Sequence, residues 1–139
     1  MTAAPTLAPD AAIVLGIASA ALPFACTPED AAERWLRVLR LHGQAGAALQ
    51  ALGVSEGSLR APARDEREWA PAAEGDRDAV ARVLELATAH AERRGAAGVA
   101  TPDVLLAVMD VYGADFERVL RAHGTDRDEV VEQLGAIAA

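Results

Sequence analysis

Thiols, aromatic rings and positive charge are all scarce in this chain. Cys26 is the only cysteine of 139 residues, so no internal disulfide can form and nothing calls for an oxidising compartment. Aromatic residues make up 4% of the chain, and with no β-branched enrichment beside them the composition argues against sheets. Thirteen basic residues against 21 acidic ones leave a formal charge of −8. A nucleic-acid backbone is thereby excluded as the main partner, since phosphate binding needs a net basic face, and basic partners or basic peptides suit the chain better. No apolar run is long enough for a membrane span, which takes about 20 residues. The longest, from Ala11 to Ala25, also makes a poor signal peptide. Asp10 rather than Lys or Arg precedes it, and Pro23, Phe24 and Ala25 do not fit a lipoprotein cleavage site before Cys26. A cytoplasmic protein without membrane attachment is expected.

What the chain has in quantity is apolar aliphatic surface, at 52% of residues, with Ala, Leu, Val, Glu and Arg dominating. That composition predicts a single all-α domain over residues 1–139. A first helix is expected from Pro9 to Leu22, with Ile13, Val14, Ile17, Ala18 and Ala21 at helical spacing and Pro23 ending it. Thr27, Pro28, Glu29 and Asp30 read as a helix start: a hydroxyl cap, Pro at the first helical position, and acids at the positive end of the dipole. This helix should reach His42, with Gly43 as its stop. A short helix from Ala45 to Leu52 stops at Gly53, and Ser55 to Leu59 adds a turn. Pro62, Pro71, Gly75 and dense charge make Arg60 to Gly75 a linker, in which Trp69 is the one large apolar group and reads as a packing anchor.

The same grammar then recurs. Asp76 to Arg94 is amphipathic, with Val80, Val83, Leu84, Ala87 and Ala91 on one face. Gly95 and Gly98 end it, and Thr101 and Pro102 restart the chain as Thr27 and Pro28 do, for a helix to Tyr112. Phe116, Val119 and Leu120 face inward from a helix that Gly124 stops. Asp126 caps a last helix carrying Val130, Val131, Leu134 and Ile137. The chain thus divides into repeat one, about 7–60, a linker, about 61–75, and repeat two, about 76–138, with about eight helices in all. Neither unit can cover its own apolar face, so the two are expected to pack as two pseudo-symmetric four-helix repeats.

Catalytic chemistry finds little to stand on. Cys26 precedes a helix cap in an apolar stretch, where a buried small hydrophobe is expected rather than a thiolate. His42 and His123 each precede a glycine and are placed at helix C-termini, where the dipole favours a protonated imidazole. Glu85 and Glu92 are not spaced to aim a second ligand with His90 at a metal, and Gly95 and Gly98 lack the Lys and Ser/Thr of a phosphate loop. No catalytic residue, no metal site and no cofactor is predicted.

One family carries the same arrangement. Val83-Leu-Glu-Leu-Ala87, Gly98-Val-Ala-Thr101, Leu105-Leu-Ala-Val-Met109, Gly113-Ala-Asp-Phe-Glu-Arg-Val-Leu120 and Gly124 resemble the Clp N-terminal repeat at the front of the ClpA, ClpB and ClpC unfoldases. Leu39, His42-Gly-Gln-Ala-Gly-Ala-Ala-Leu49, Leu52-Gly-Val-Ser55 and Leu59-Arg60 look like a more divergent copy. The resemblance implies a non-enzymatic docking domain of two four-helix repeats that receives protein or peptide partners: Clp machinery, adaptors or substrates. The AAA+ ATPase is missing, so the chain is expected to be a free-standing member or an excised domain, with the ending Gly135 to Ala139 favouring the former. Departures are specific. ClpC-type repeats open on an aromatic, Thr and Pro, and their capped helix begins Thr-Glu-His. Here Gly75, Asp76, Arg77 and Asp78 occupy the first place, and Pro102 and Asp103 follow Thr101, so the resemblance does not carry a phosphoarginine pocket with it.

Three functions follow as expectations. The first is a protein- or peptide-binding module serving as adaptor, regulator or decoy in Clp-dependent proteolysis, its surface in the groove between repeats near Leu7, Trp69, Asp76 and Arg77. The second is a small-molecule binding or sequestering protein whose pocket between repeats takes a hydrophobic or peptidic natural product. The third is an enzyme on the same scaffold, which would need an apolar pocket enclosing His90 with Glu33 or Glu92.

Overall fold

The computed structural model describes residues 6–22, 25, 27–54 and 75–138, without the side chains of 75–78, 137 and 138. Among them are seven helices: α1 (Pro9–Ala21), α2 (Pro28–Arg40), α3 (Gly43–Ala51), α4 (Gly75–Arg93), α5 (Thr101–Tyr112), α6 (Ala114–Ala122) and α7 (Arg127–Ala138). The mainly α-helical class therefore holds. One feature was not expected from the composition: β1 (Thr6–Leu7) pairs in parallel with β2 (Gly98–Val99), aligning Leu7 with Val99. Its outer hydrogen bonds run from Thr6 N–H to the Ala97 carbonyl and from Ala8 N–H to the Val99 carbonyl. Gly98, expected to help end the preceding helix, instead lies in this strand, with the Thr6 carbonyl 3.2 Å from where a Cβ would stand. The expected turn at Ser55 to Leu59, Trp69, Cys26 and the linker up to residue 74 lie outside the described residues, while Gly75, expected to end the linker, opens α4.

Local chemistry sets most helix ends. Thr27 Oγ1 accepts the Asp30 N–H at 3.0 Å, with Pro28 at the first helical position, and Asp126 Oδ1 accepts the Glu129 N–H at 2.9 Å. The stops after α3 and α6 use the same pair of backbone bonds. Gly53 N–H reaches the Gln50 carbonyl and Val54 N–H the Leu49 carbonyl; Gly124 N–H reaches Arg121 and Thr125 N–H reaches Leu120, all at 3.0 Å. Each glycine takes a positive φ, +89° and +86°, as this form of helix stop requires.

Two expected starts are corrected. Thr101 does not cap α5. Ala100 occupies the cap position, and Asp103, three residues on, accepts the Ala100 N–H at 2.9 Å. Thr101 is buried instead, and its Oγ1 accepts the Ala45 N–H of α3 at 3.1 Å, satisfying one of the donors that a helix start leaves without an internal partner. Gly43 does not merely stop α2. Leu41 ends that helix, His42 is the extended cap of α3, and Gly43 is the first residue of α3 at φ +62°. A side chain there would meet Thr101 Oγ1 at 2.5 Å and Asp10 Oδ2 at 3.0 Å, so the starts of α1, α3 and α5 converge at this glycine.

The core is one cluster drawn from both halves of the chain. Trp35, Leu36 and Leu39 of α2 are fully buried with Val104, Leu105 and Val108 of α5 and with Phe116 and Leu120 of α6. Trp35 Nε1–H donates to Tyr112 Oη at 3.1 Å, giving the buried indole its polar partner across the two halves. α2 packs on α6 and α3 on α7 and α5, while α1 meets α2, α4 and α5. The expected inward faces hold at Val83, Ala87, Ala91, Val130 and Leu134, but Ile13, Ile17, Leu84 and Val131 point to solvent. In α1 the cause is composition: both of its faces are apolar, so periodicity cannot say which one the core will take.

Candidate functional site

A cleft of about 340 Å³ opens where α5 ends, α6 runs and α7 begins. Its floor is Met109, Phe116 and Leu120, all buried. Gly113 and Ala114 form one wall with almost no side chain, and Glu117 and Arg127 supply the polar rim. Gly113 adopts φ +51°, ψ −118°, a conformation that favours glycine, and beyond its chain neighbours no atom of the described residues lies within 4 Å of where its Cβ would stand. The turn thus leaves the space beside Gly113 open.

The rim charges are only loosely engaged. Arg127 Nη2 stands 3.5 Å from Asp110 Oδ1, and its guanidinium makes no hydrogen bond among the described residues. Glu117 Oε2 accepts the Arg127 backbone N–H at 3.3 Å, and Oε1 lies 3.8 Å from Arg121 Nη2. Asp110 is also shared with His90, whose Nε2 lies 2.9 Å from Oδ2. A chain of charged groups therefore links α4, α5, α6 and α7 beside the cleft. His90 meets Asp110, not the Glu92 or Glu33 that an enzymatic role was expected to recruit.

A second polar centre is structural. Arg94, just past α4, forks onto Asp103 of α5, Nε to Oδ1 at 2.9 Å and Nη2 to Oδ2 at 2.5 Å, and Nη2 also donates to the Gly98 carbonyl at 3.3 Å. The Asp103 side chain is 2% exposed. Its hydrogen bond holds the Arg94 guanidinium above the ordinary arginine range. The pair clamps β2 and the start of α5 together. His123, at the end of α6 as expected, departs from expectation in its charge: burial first, then the positive charge of Arg37, push its imidazole below the ordinary histidine value. Both effects act against the helix dipole, which was expected to favour protonation.

Of the four residues expected at a binding surface, Leu7 alone has a described side chain. It lies in β1, 39% exposed, and does not line the cleft. Trp69 is outside the described residues, and Asp76 and Arg77 lie in the first turn of α4 with side chains outside the description. Glu117, Arg127 and Asp110 went unnoticed in the sequence, because charged residues on amphipathic helices are ordinarily solvated. The helix-opening position of Arg127 directly after the Asp126 cap was the one available signal. No group of three or more His, Cys, Asp or Glu able to hold a metal occurs among the described residues, and no helix there is long and apolar enough to cross a membrane. Compared with known proteins, the chain matches no family model, no curated protein and no solved structure.

Proposed function

We propose that this chain is a non-enzymatic protein- or peptide-binding module built from two Clp-N-like repeats, acting as adaptor, regulator or decoy in Clp-dependent proteolysis. The cleft between α5, α6 and α7 carries the reading. An apolar floor bordered by a few polar groups is the usual construction of a site for a side chain or small ligand, and its volume lies in the customary range of about 300–1,000 Å³. The repeat draws on the matched stops, in which Leu49, Gln50, Gly53 and Val54 make the backbone bonds that Leu120, Arg121, Gly124 and Thr125 make in the other half, a form of stop that α4 also uses at Gly95 and Ala96. It is supported also by α2 packing on α6 while α3 packs on α5, an exchange in which each half sets its short helix against the longer helix of the other. The Clp partner rests on the sequence resemblance alone.

The test is affinity capture with the whole chain from its native lysate, together with direct titration against purified Clp components. Enrichment of a Clp subunit, adaptor or substrate supports the module, and its loss on the rim substitutions Glu117→Lys or Arg127→Glu, with folding unchanged by circular dichroism, would place the contact at the cleft. Repeated failure to enrich any of them overturns the Clp assignment. The second reading, a binder of small hydrophobic molecules, draws on the same cleft volume. A ligand at about a hundredfold over its Kd would raise stability by about 2.7 kcal/mol in a thermal-shift screen.

A further inference from the structure

The cleft holds two opposite charges over an apolar floor, and neither charge is fully engaged by the protein. Arg127 contributes a guanidinium whose one ion-pair partner among the described residues, Asp110, is 3.5 Å away, past the usual hydrogen-bond range. Glu117 contributes a carboxylate whose contacts, at 3.3 and 3.8 Å, lie at or past the long end of that range. A purely apolar ligand would strip part of the water from both groups, whose side chains are 54% and 28% exposed, and return nothing to them, which is unfavourable. A lone anion would meet Glu117 and the −8 charge of the chain, and a lone cation would meet Arg127 with Arg121 close behind. A ligand carrying one charge of each sign around an apolar body satisfies every lining group at once.

We propose that the cleft binds a short apolar peptide with both termini free. The side chains lie on Met109, Phe116 and Leu120, the terminal carboxylate takes the guanidinium of Arg127, and the terminal ammonium takes the carboxylate of Glu117. The bare wall at Gly113 and Ala114 leaves room for the peptide backbone. Asp110 loses its weak hold on Arg127 and keeps His90 at 2.9 Å. This assignment rests on the cleft being the binding surface of the proposed module, and it names the ligand class that surface selects.

The probes are leucyl-leucine and its three capped forms: N-acetylated, C-amidated, and both. Titration is followed by calorimetry and by backbone amide shifts at Gly113, Phe116 and Glu117. Leucyl-leucine is expected to bind saturably at or below millimolar concentration, and each single cap to weaken it by about tenfold or more, since each removes one charged hydrogen-bonding end. Arg127→Ala should abolish discrimination against the C-amide while keeping that against the N-acetyl form. Glu117→Gln should do the reverse. Equal binding of all four probes would overturn the charge assignment while leaving an apolar peptide cleft, and the module itself, standing. Absence of saturable binding at millimolar concentration, or binding that neither variant alters, would overturn the inference outright. Capture of Clp components is a separate measurement, so the two failures cannot be confused.

Discussion

The joint between α2 and α3 and the joint between α5 and α6 have similar sequence grammar, an amphipathic helix, a glycine and a short helix, and they come out opposite. At the first, Gly43 is wedged between Thr101 and Asp10, and one turn on, a Cβ at Gly46 would stand 2.7 Å from the Arg40 carbonyl. That carbonyl is further occupied by Gln50 Nε2 at 2.8 Å, so the joint is closed. At the second, no described residue beyond the chain neighbours comes within 4 Å of a Cβ placed at Gly113, and the residue 71 positions after Gly46 is Glu117, lining a cleft. A glycine turn tells where the chain bends. Whether the bend is filled or left open depends on what the rest of the fold brings to it, and here α1 and α5 fill the first joint and nothing described fills the second.

Removing the largest side chain of the core that both halves share should have the largest effect. Trp35→Ala deletes a fully buried indole and its bond to Tyr112, and is expected to cost about 3–5 kcal/mol in denaturant unfolding. Equal stability of this variant would mean that the two halves do not share a core. Next comes the closed joint itself. Gly46→Ala would bring helix propensity worth about 1 kcal/mol, yet the clash with backbone should dominate and leave the protein about 1–3 kcal/mol less stable. Glu117→Ala at the open joint should change stability by less than about 0.5 kcal/mol, so the pair measures the difference between the joints directly. A stabilising Gly46→Ala would show that the first joint has slack.

A subtler probe is Thr101→Val, nearly the same in volume, which strands the buried Ala45 N–H without an acceptor. It should cost about 1–2 kcal/mol, and a neutral result would mean the α3 start finds another partner. The smallest effect is one of pH. Because folding lowers the His123 value, the unfolded chain binds the extra proton, so stability should fall as pH drops below about 6.5 toward the folded value and be complete above it. His123→Gln should flatten the stability profile in that acid window. An unchanged profile would assign the acid sensitivity elsewhere.

How far the sequence foretold these features follows from the range of the physics involved. Thr27, Asp126, Gly53 and Gly124 were legible because a cap or stop is settled within about one turn of its own helix. Thr101 was misjudged for the same reason in reverse. Its hydroxyl looks local, but its partner is 56 residues away, and Asp103 was the residue that capped. His123 sits at its helix end as its glycine stop implies, while the burial and the Arg37 charge that lower its imidazole come from tertiary neighbours that no spacing reveals. Asp110 with Arg127, and Arg94 with Asp103, join different elements and carried no motif.

What the sequence by itself determined is the helical character and the positions of most caps and stops, consequences of composition and of contacts a few residues long. What only the tertiary structure decided is which apolar face is buried, as Ile13 and Ile17 show, which charges meet, and which of two similar joints stays open. Those outcomes depend on surfaces that meet only once the chain has closed on itself: the cleft exists because α7 starts beside α6 while nothing described packs against Gly113.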